Sequence, residues 1–207
     1  MERYASSPEY KTLKDKQWWS GLDEQFNRVQ IASAALTSAA ASGELSGEEW
    51  ESPKGALARI LVMDQFPRTV YRGTAEAFGS DEQAVKLAMA CVSAGWDSSL
   101  GTVQERMFCY MPLMHSESLE AQDMSVEVLT KLLEDASLQD DPESKKAVQF
   151  SRAHAMEHRD VVKRFGRFPH RNWLLGREST AEEEAWLASE DLPPWAKSQM
   201  PAAAAAT

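Results

Sequence analysis

Asp141–Phe165, DPESKKAVQFSRAHAMEHRDVVKRF, is the stretch that decides the fold class. Asp141 stands where a helix N-cap accepts from the backbone, and Pro142 follows at the first helical position, where its missing N–H leaves nothing unpaired. Ala147, Phe150, His154, His158, Val161 and Phe165 recur at three- and four-residue spacing, so they predict one inward face of a long helix ending near Phe165.

The same spacing recurs outward from this segment, and sustained period-two alternation is nearly absent. A helix is predicted over Leu22 to Ala41, followed by the polar break Ser42-Gly43-Glu44-Leu45-Ser46-Gly47. Ser52-Pro53 opens a second, with Leu57, Ile60, Leu61 and Asp64 on one stripe, and Phe66-Pro67 closes it. Ser80-Asp81-Glu82-Gln83 has capping-box spacing and starts a helix carrying Val85, Leu87, Ala88 and Val92. From about Leu100, the stripe Leu100, Val103, Met107 and Met111 meets Pro112, which should kink or end the helix just before His115. Leu119 to Leu138 is helical with Leu129, Leu132 and Leu133 inward, and Thr180-Ala181-Glu182-Glu183 caps a last short helix. The fold class is therefore all-α, a bundle or stacked antiparallel helix pairs in a single domain at 17–190. An N-terminal extension at 1–16 precedes it, and a mobile tail is expected at 191–207, where Pro193-Pro194 and an alanine run stand.

Composition narrows the function classes. A net charge of -10 argues against a nucleic-acid partner. No window resembles a secretory signal or a membrane span, so no membrane insertion is expected and the location reads as cytoplasmic, an organelle lumen being the alternative. Cys91 and Cys109 lack metal spacing and read as free core thiols. Neither a Walker A motif nor a dinucleotide glycine fingerprint nor a nucleophile elbow is present, and no cofactor is expected.

Several polar residues stand where packing alone would not put them. Asp64 lies on an apolar stripe in the predicted last turn of its helix, so an arginine or histidine should reach it. His154 and His158 frame an H-x-x-E-H pattern like that of inverted zinc peptidases, with two histidines hydrogen-bonded in a helix interface as the alternative. Arg152 to Arg177 holds seven of the 22 basic residues and only Glu157 and Asp160 as acids. Two echoing motifs, Gln65-Phe66-Pro67-Arg68 and Arg167-Phe168-Pro169-His170-Arg171, each place an extended phenylalanine before proline and then a cation. The candidate ligand-binding residues are Asp64, Arg68, Arg164, Arg167, Arg171, Asn172 and Arg177, with Arg68, Arg167, Arg171 and Arg177 as the anion donors, and His115, Glu117, His158 and His170 are the candidate acid–base groups. Internal salt bridges from the basic segment to Asp64, Glu117 and Glu178 are the alternative.

At Met63–Arg68, Met111–Glu117, Arg164–Asn172 and Leu175–Thr180 the chain resembles the family catalogued as domain of unknown function 924, with the motifs in that family's order. The resemblance covers about Trp18 to Leu187. It implies a tetratricopeptide-like all-helical fold and no established activity. The family's polar positions correspond to Asp64, Gln65, Arg68, His115, Ser116, Glu117, His158, Arg164, Arg167, His170, Arg171, Asn172, Arg177 and Glu178; His154 is outside the pattern. The family's opening Phe-Trp-Phe segment is represented only by Trp18-Trp19. Two functions are expected: a cleft binding a small anionic metabolite, with acid–base chemistry, or a helical scaffold for a protein partner.

Overall fold

A computed structural model describes residues 34–45, 47–135, 138 and 141–197, and every regular element among them is helical. The extension at 1–16, Trp18-Trp19, the start of the first predicted helix, and 198–207 lie outside the described residues. Helix α1 is Ala34–Ala41, α2 Pro53–Ile60, α3 Phe66–Val70, α4 Asp81–Ser93, α5 Val103–His115, α6 Leu119–Leu133, α7 Pro142–Phe165, α8 Ala181–Leu187 and α9 Pro194–Lys197. Consecutive helices pack on each other: α4 on α5, α5 on α6, and α6 most extensively on α7. Helix α2 closes the group against α4 and α5. None of the described helices is long and apolar enough to cross a membrane.

Capping chemistry sets most boundaries. Ser52 accepts from Gly55 N, Asp141 from Ser144 N, and both Thr102 and Thr180 form reciprocal capping boxes with Glu105 and Glu183. Gly55 itself is required by packing: a Cβ there would stand 2.1 Å from the carbonyl oxygen of Glu49. Helix α7 ends on Gly166 at φ 70°, a left-handed C-cap that turns the chain sharply into Arg167 and Phe168. The expected box at Ser80 does not form, because the Ser80 side chain makes no cap bond.

The main core joins Ile60, Leu113, Leu132, Leu138, Val148 and Ala155, all fully buried, and each large aliphatic side chain there contributes about 1.5–3 kcal/mol. Cys91 and Cys109 are buried within it and unbridged. The inward face of α7 is Ser144, Val148, Ser151, Ala155, His158, Val161 and Val162, whereas Phe150 is about half exposed at 52%. The predicted face was thus rotated: His158 points in, and Phe150 with its neighbour His154 turns outward, their rings 4.1 Å apart.

Three departures from expectation shape the site and its surroundings. Phe66-Pro67 does not close the second helix. Proline cannot donate to the carbonyl four residues back and crowds it. A π turn over Leu61–Gln65, in which Phe66 N–H donates to Leu61 O, widens the helix just upstream, so it continues through Pro67 into α3. Asp64 therefore sits in a mid-helix bulge rather than in a last turn, and Phe66 is helical (φ -64°, ψ -44°) rather than extended. Pro112 likewise lies inside α5, which runs on to His115 and ends at Ser116. Finally, the tail expected from residue 191 is folded back through Lys197: Leu192 and Ala196 are buried, and Trp195 stacks on His158 at 3.8 Å.

Candidate functional site

The π turn presents Asp64 to the end of α5. Its carboxylate is fully buried and receives His115 Nδ1 at 2.8 and 3.0 Å, Gln65 Nε2 at 2.5 Å and Arg68 Nη1 at 3.1 Å. Burial alone would raise its pKa, but Arg68, His115 and the hydrogen bonds outweigh burial and hold it far below the ordinary carboxylate range. An ionised carboxylate only accepts, so Nδ1 of His115 carries the proton that it donates to Asp64. In the neutral ring Nε2 is then a bare lone pair, and it has no hydrogen-bond partner among the described residues.

His115 lines a cleft of about 530 Å³, together with Phe78, Asp81, Glu82, Val85, Lys86, Met89, Ser116, Glu117, Ser118, Arg171 and Leu175. That volume is ordinary for a small-molecule site. The cleft's wall between α5 and α6 is clamped from behind. Buried Gln122 donates to Met114 O at 2.7 Å and Ser116 O at 2.6 Å, and Arg177 grips Glu117 through two bonds of 2.7 and 2.9 Å. Phe168 N donates to the same Glu117 at 2.8 Å. Burial raises the Glu117 pKa; Arg177 and the Phe168 amide more than reverse that, and it stays ionised.

Arg68 and Arg171 share Asp81. Arg68 holds it bidentately at 2.9 Å for each bond, while Arg171 reaches it only at 3.3 Å and donates its other terminal nitrogen to His115 O at 2.9 Å. The Arg171 guanidinium is sandwiched between Phe78 and Phe168, 4.6 Å from each ring centroid. Burial pushes its pKa down to about 10, since the pull of Asp81 does not fully offset desolvation beside Arg68. Its Nε is buried without a hydrogen-bond partner among the described residues.

Of the residues singled out from sequence, His115, Glu117 and Arg171 line the cleft, and Asp64 and Arg68 stand behind it. The others lie elsewhere. Arg167 pairs with Glu183 at 2.6 and 2.8 Å, and Asn172 donates to Glu183 at 3.3 Å; the Arg167 bonds hold the Glu183 carboxyl down to about 2. Arg177 is consumed by Glu117, and Arg164 meets Glu182 at 2.8 Å on the surface. His170 is buried against Phe168 and Trp195. Sequence reasoning did not find Asp81, Glu183, Phe78 or Trp195. Glu183 had one signal, its place in the Thr180 capping box, where it was credited only with local bonds.

His158 is no proton donor at neutral pH. Burial between Trp195 and Phe168 pushes its pKa down to about 3, although its Nδ1 lies 2.8 Å from His154 O. Nδ1 of His154 likewise lies 3.2 Å from Phe150 O, and no group of three His, Cys, Asp or Glu able to hold a metal occurs among the described residues. Within the H-x-x-E-H run, Glu157 accepts from Trp195 Nε1 at 3.1 Å and His158 packs between Trp195 and Phe168. A folded pKa below the unfolded value of about 6.5 means that the unfolded chain binds the extra proton. Stability should fall by about 1.4 kcal/mol per pH unit as pH drops from 6.5 toward the folded value. Urea unfolding at pH 7, 6 and 5 checks this, a window above most carboxylate titration, and His158→Phe should flatten the slope. An equal slope in the variant would place the titration elsewhere.

A solved structure, the protein of unknown function ATU0120 from Agrobacterium tumefaciens, superposes with a TM-score of 0.70 at 33% identity, covering 86% of this chain and 92% of that one. No curated protein matches the chain. The family model described as "Bacterial protein of unknown function (DUF924)" matches residues 6–191, and the chain belongs to that family.

Proposed function

We propose that the cleft binds a small organic anion and that His115, oriented by Asp64, acts on it as a general base and acid. One observation carries the reading: the buried Asp64 carboxylate fixes the proton on His115 Nδ1, leaving Nε2 for the cleft that His115 lines. Arg171 and Lys86 supply cations to the same cleft. The buried, unbridged thiols of Cys91 and Cys109 support a reducing, cytoplasmic setting.

The test needs no known substrate. Wild-type protein and His115→Gln are each incubated with a bacterial metabolite extract, and mass spectrometry records which compounds are consumed or formed. At least one organic acid should change with wild type and not with the variant.

A scaffold function for a protein partner is favoured by a different observation. Arg164, Arg167 and Arg177 are spent on Glu182, Glu183 and Glu117 and so act as internal struts. Identical metabolite profiles for the two proteins would favour it.

A further inference from the structure

The cleft is lined by both polar and apolar groups. Phe78, Val85, Met89 and Leu175 form its apolar lining, whereas Ser116, Glu117 and Ser118 bring the start of α6 to it. Helix α6 has 15 residues, and its N-cap Ser118 makes no side-chain cap bond. Its first N–H groups and dipole favour an anion, partly answered by the solvent-exposed Glu120 of the first turn. Arg171 supplies an independent second feature. Only 5% exposed, it carries five N–H donors, of which Nη1 and Nη2 each make one bond and Nε makes none among the described residues.

The surrounding carboxylates do not cancel this attraction. Asp81 is held bidentately by Arg68, Glu117 bidentately by Arg177, and Glu82 pairs with Lys86 at 2.5 Å on the rim. Arg171 is the cation with the weakest counter-charge, its contact to Asp81 being the longest of these at 3.3 Å. Asp64 and Asp81 match Arg68 and Arg171 in number, so a ligand carboxylate would engage Arg171 through its unused N–H donors rather than through an unmet net charge. The two phenylalanine rings hold the guanidinium in place, so little side-chain entropy is lost on binding.

We propose that the ligand is an amphipathic carboxylic acid, its carboxylate seated between the start of α6 and Arg171 and its hydrocarbon chain laid along Phe78, Val85, Met89 and Leu175. This assignment rests on the reading of the cleft as a small-molecule site. The carboxylate end then lies on the side of the cleft that holds His115, whose backbone carbonyl accepts from Arg171.

Calorimetric titration with hexanoate, hexanol, hexylamine and acetate tests the assignment, with the His115 ring followed by NMR as the reporter of place. Hexanoate should bind about tenfold or more tightly than each of the other three and should shift the His115 signals. Arg171→Met should remove that preference for hexanoate over hexanol. Met89→Gln, equal in length at a partly buried position, should weaken hexanoate several-fold and leave acetate unchanged in a variant shown to be folded by its thermal unfolding. Hexanol or hexylamine binding as tightly as hexanoate would overturn the carboxylate, and acetate doing so would overturn the apolar chain. Hexanoate that fails to bind, or binds without moving His115, overturns the ligand class; the acid–base reading then stands or falls separately on the metabolite experiment.

Discussion

Asp64→Ala should lower the free energy of unfolding by about 3–5 kcal/mol, the range for removing one partner of a buried ion pair. The reason is a charge count. Asp64 and Asp81 face Arg68 and Arg171 in one buried group, and His115 adds its Nδ1–H. Without Asp64, two guanidinium groups share the single carboxylate of Asp81, and His115 Nδ1 loses its acceptor. For a chain of 207 residues the loss should lower the midpoint of thermal unfolding by roughly 6 °C or more. Chemical denaturation measures it, and a change under about 1 kcal/mol would mean that the group relaxes or is solvated. Because the folded pKa of Asp64 lies below its unfolded value, this contribution is present above about pH 4 and disappears as pH falls further.

His115→Gln should do the reverse, sparing the fold and removing the chemistry. A glutamine amide can still donate to Asp64, so the buried carboxylate keeps a partner and the stability change should stay near 1 kcal/mol. It offers no titratable nitrogen to the cleft. Loss of a general base costs about 10²–10⁴-fold in rate, so the metabolite change seen with wild type should fall below detection. Equal conversion by a folded His115→Gln protein would remove His115 from any reaction. The contrast between the two variants separates the group that shapes the site from the one that acts in it.

Much of this was readable in the sequence because helix ends are local chemistry. Asp141-Pro142 and Thr180 through Glu183 identify their caps within four residues. The need of Asp64 for a cation or histidine was also legible. What the sequence hid depends on distant partners. Pro67 reads as a helix end, and only packing selects the π turn that lets the helix pass through it. The basic segment reads either as ligand donors or as salt-bridge partners of Asp64, Glu117 and Glu178; Arg177 does meet Glu117, across 60 positions, whereas Arg171 meets Asp81, across 90. No local pattern encodes such pairings. The same holds for Trp195, whose Pro-Pro setting reads as a tail until His158 provides a ring to stack on.

The central claim is that Asp64 orients His115 with its proton inward and a lone pair toward the cleft. Nitrogen NMR of the His115 ring, at a pH where the ring is neutral, reads this directly. The structure predicts a protonated Nδ1 and an unprotonated Nε2 in the wild type, with that preference lost in Asp64→Asn. A protonated Nε2 with a bare Nδ1 in the wild type would contradict it, because such a ring could neither donate to Asp64 nor accept a proton from the cleft.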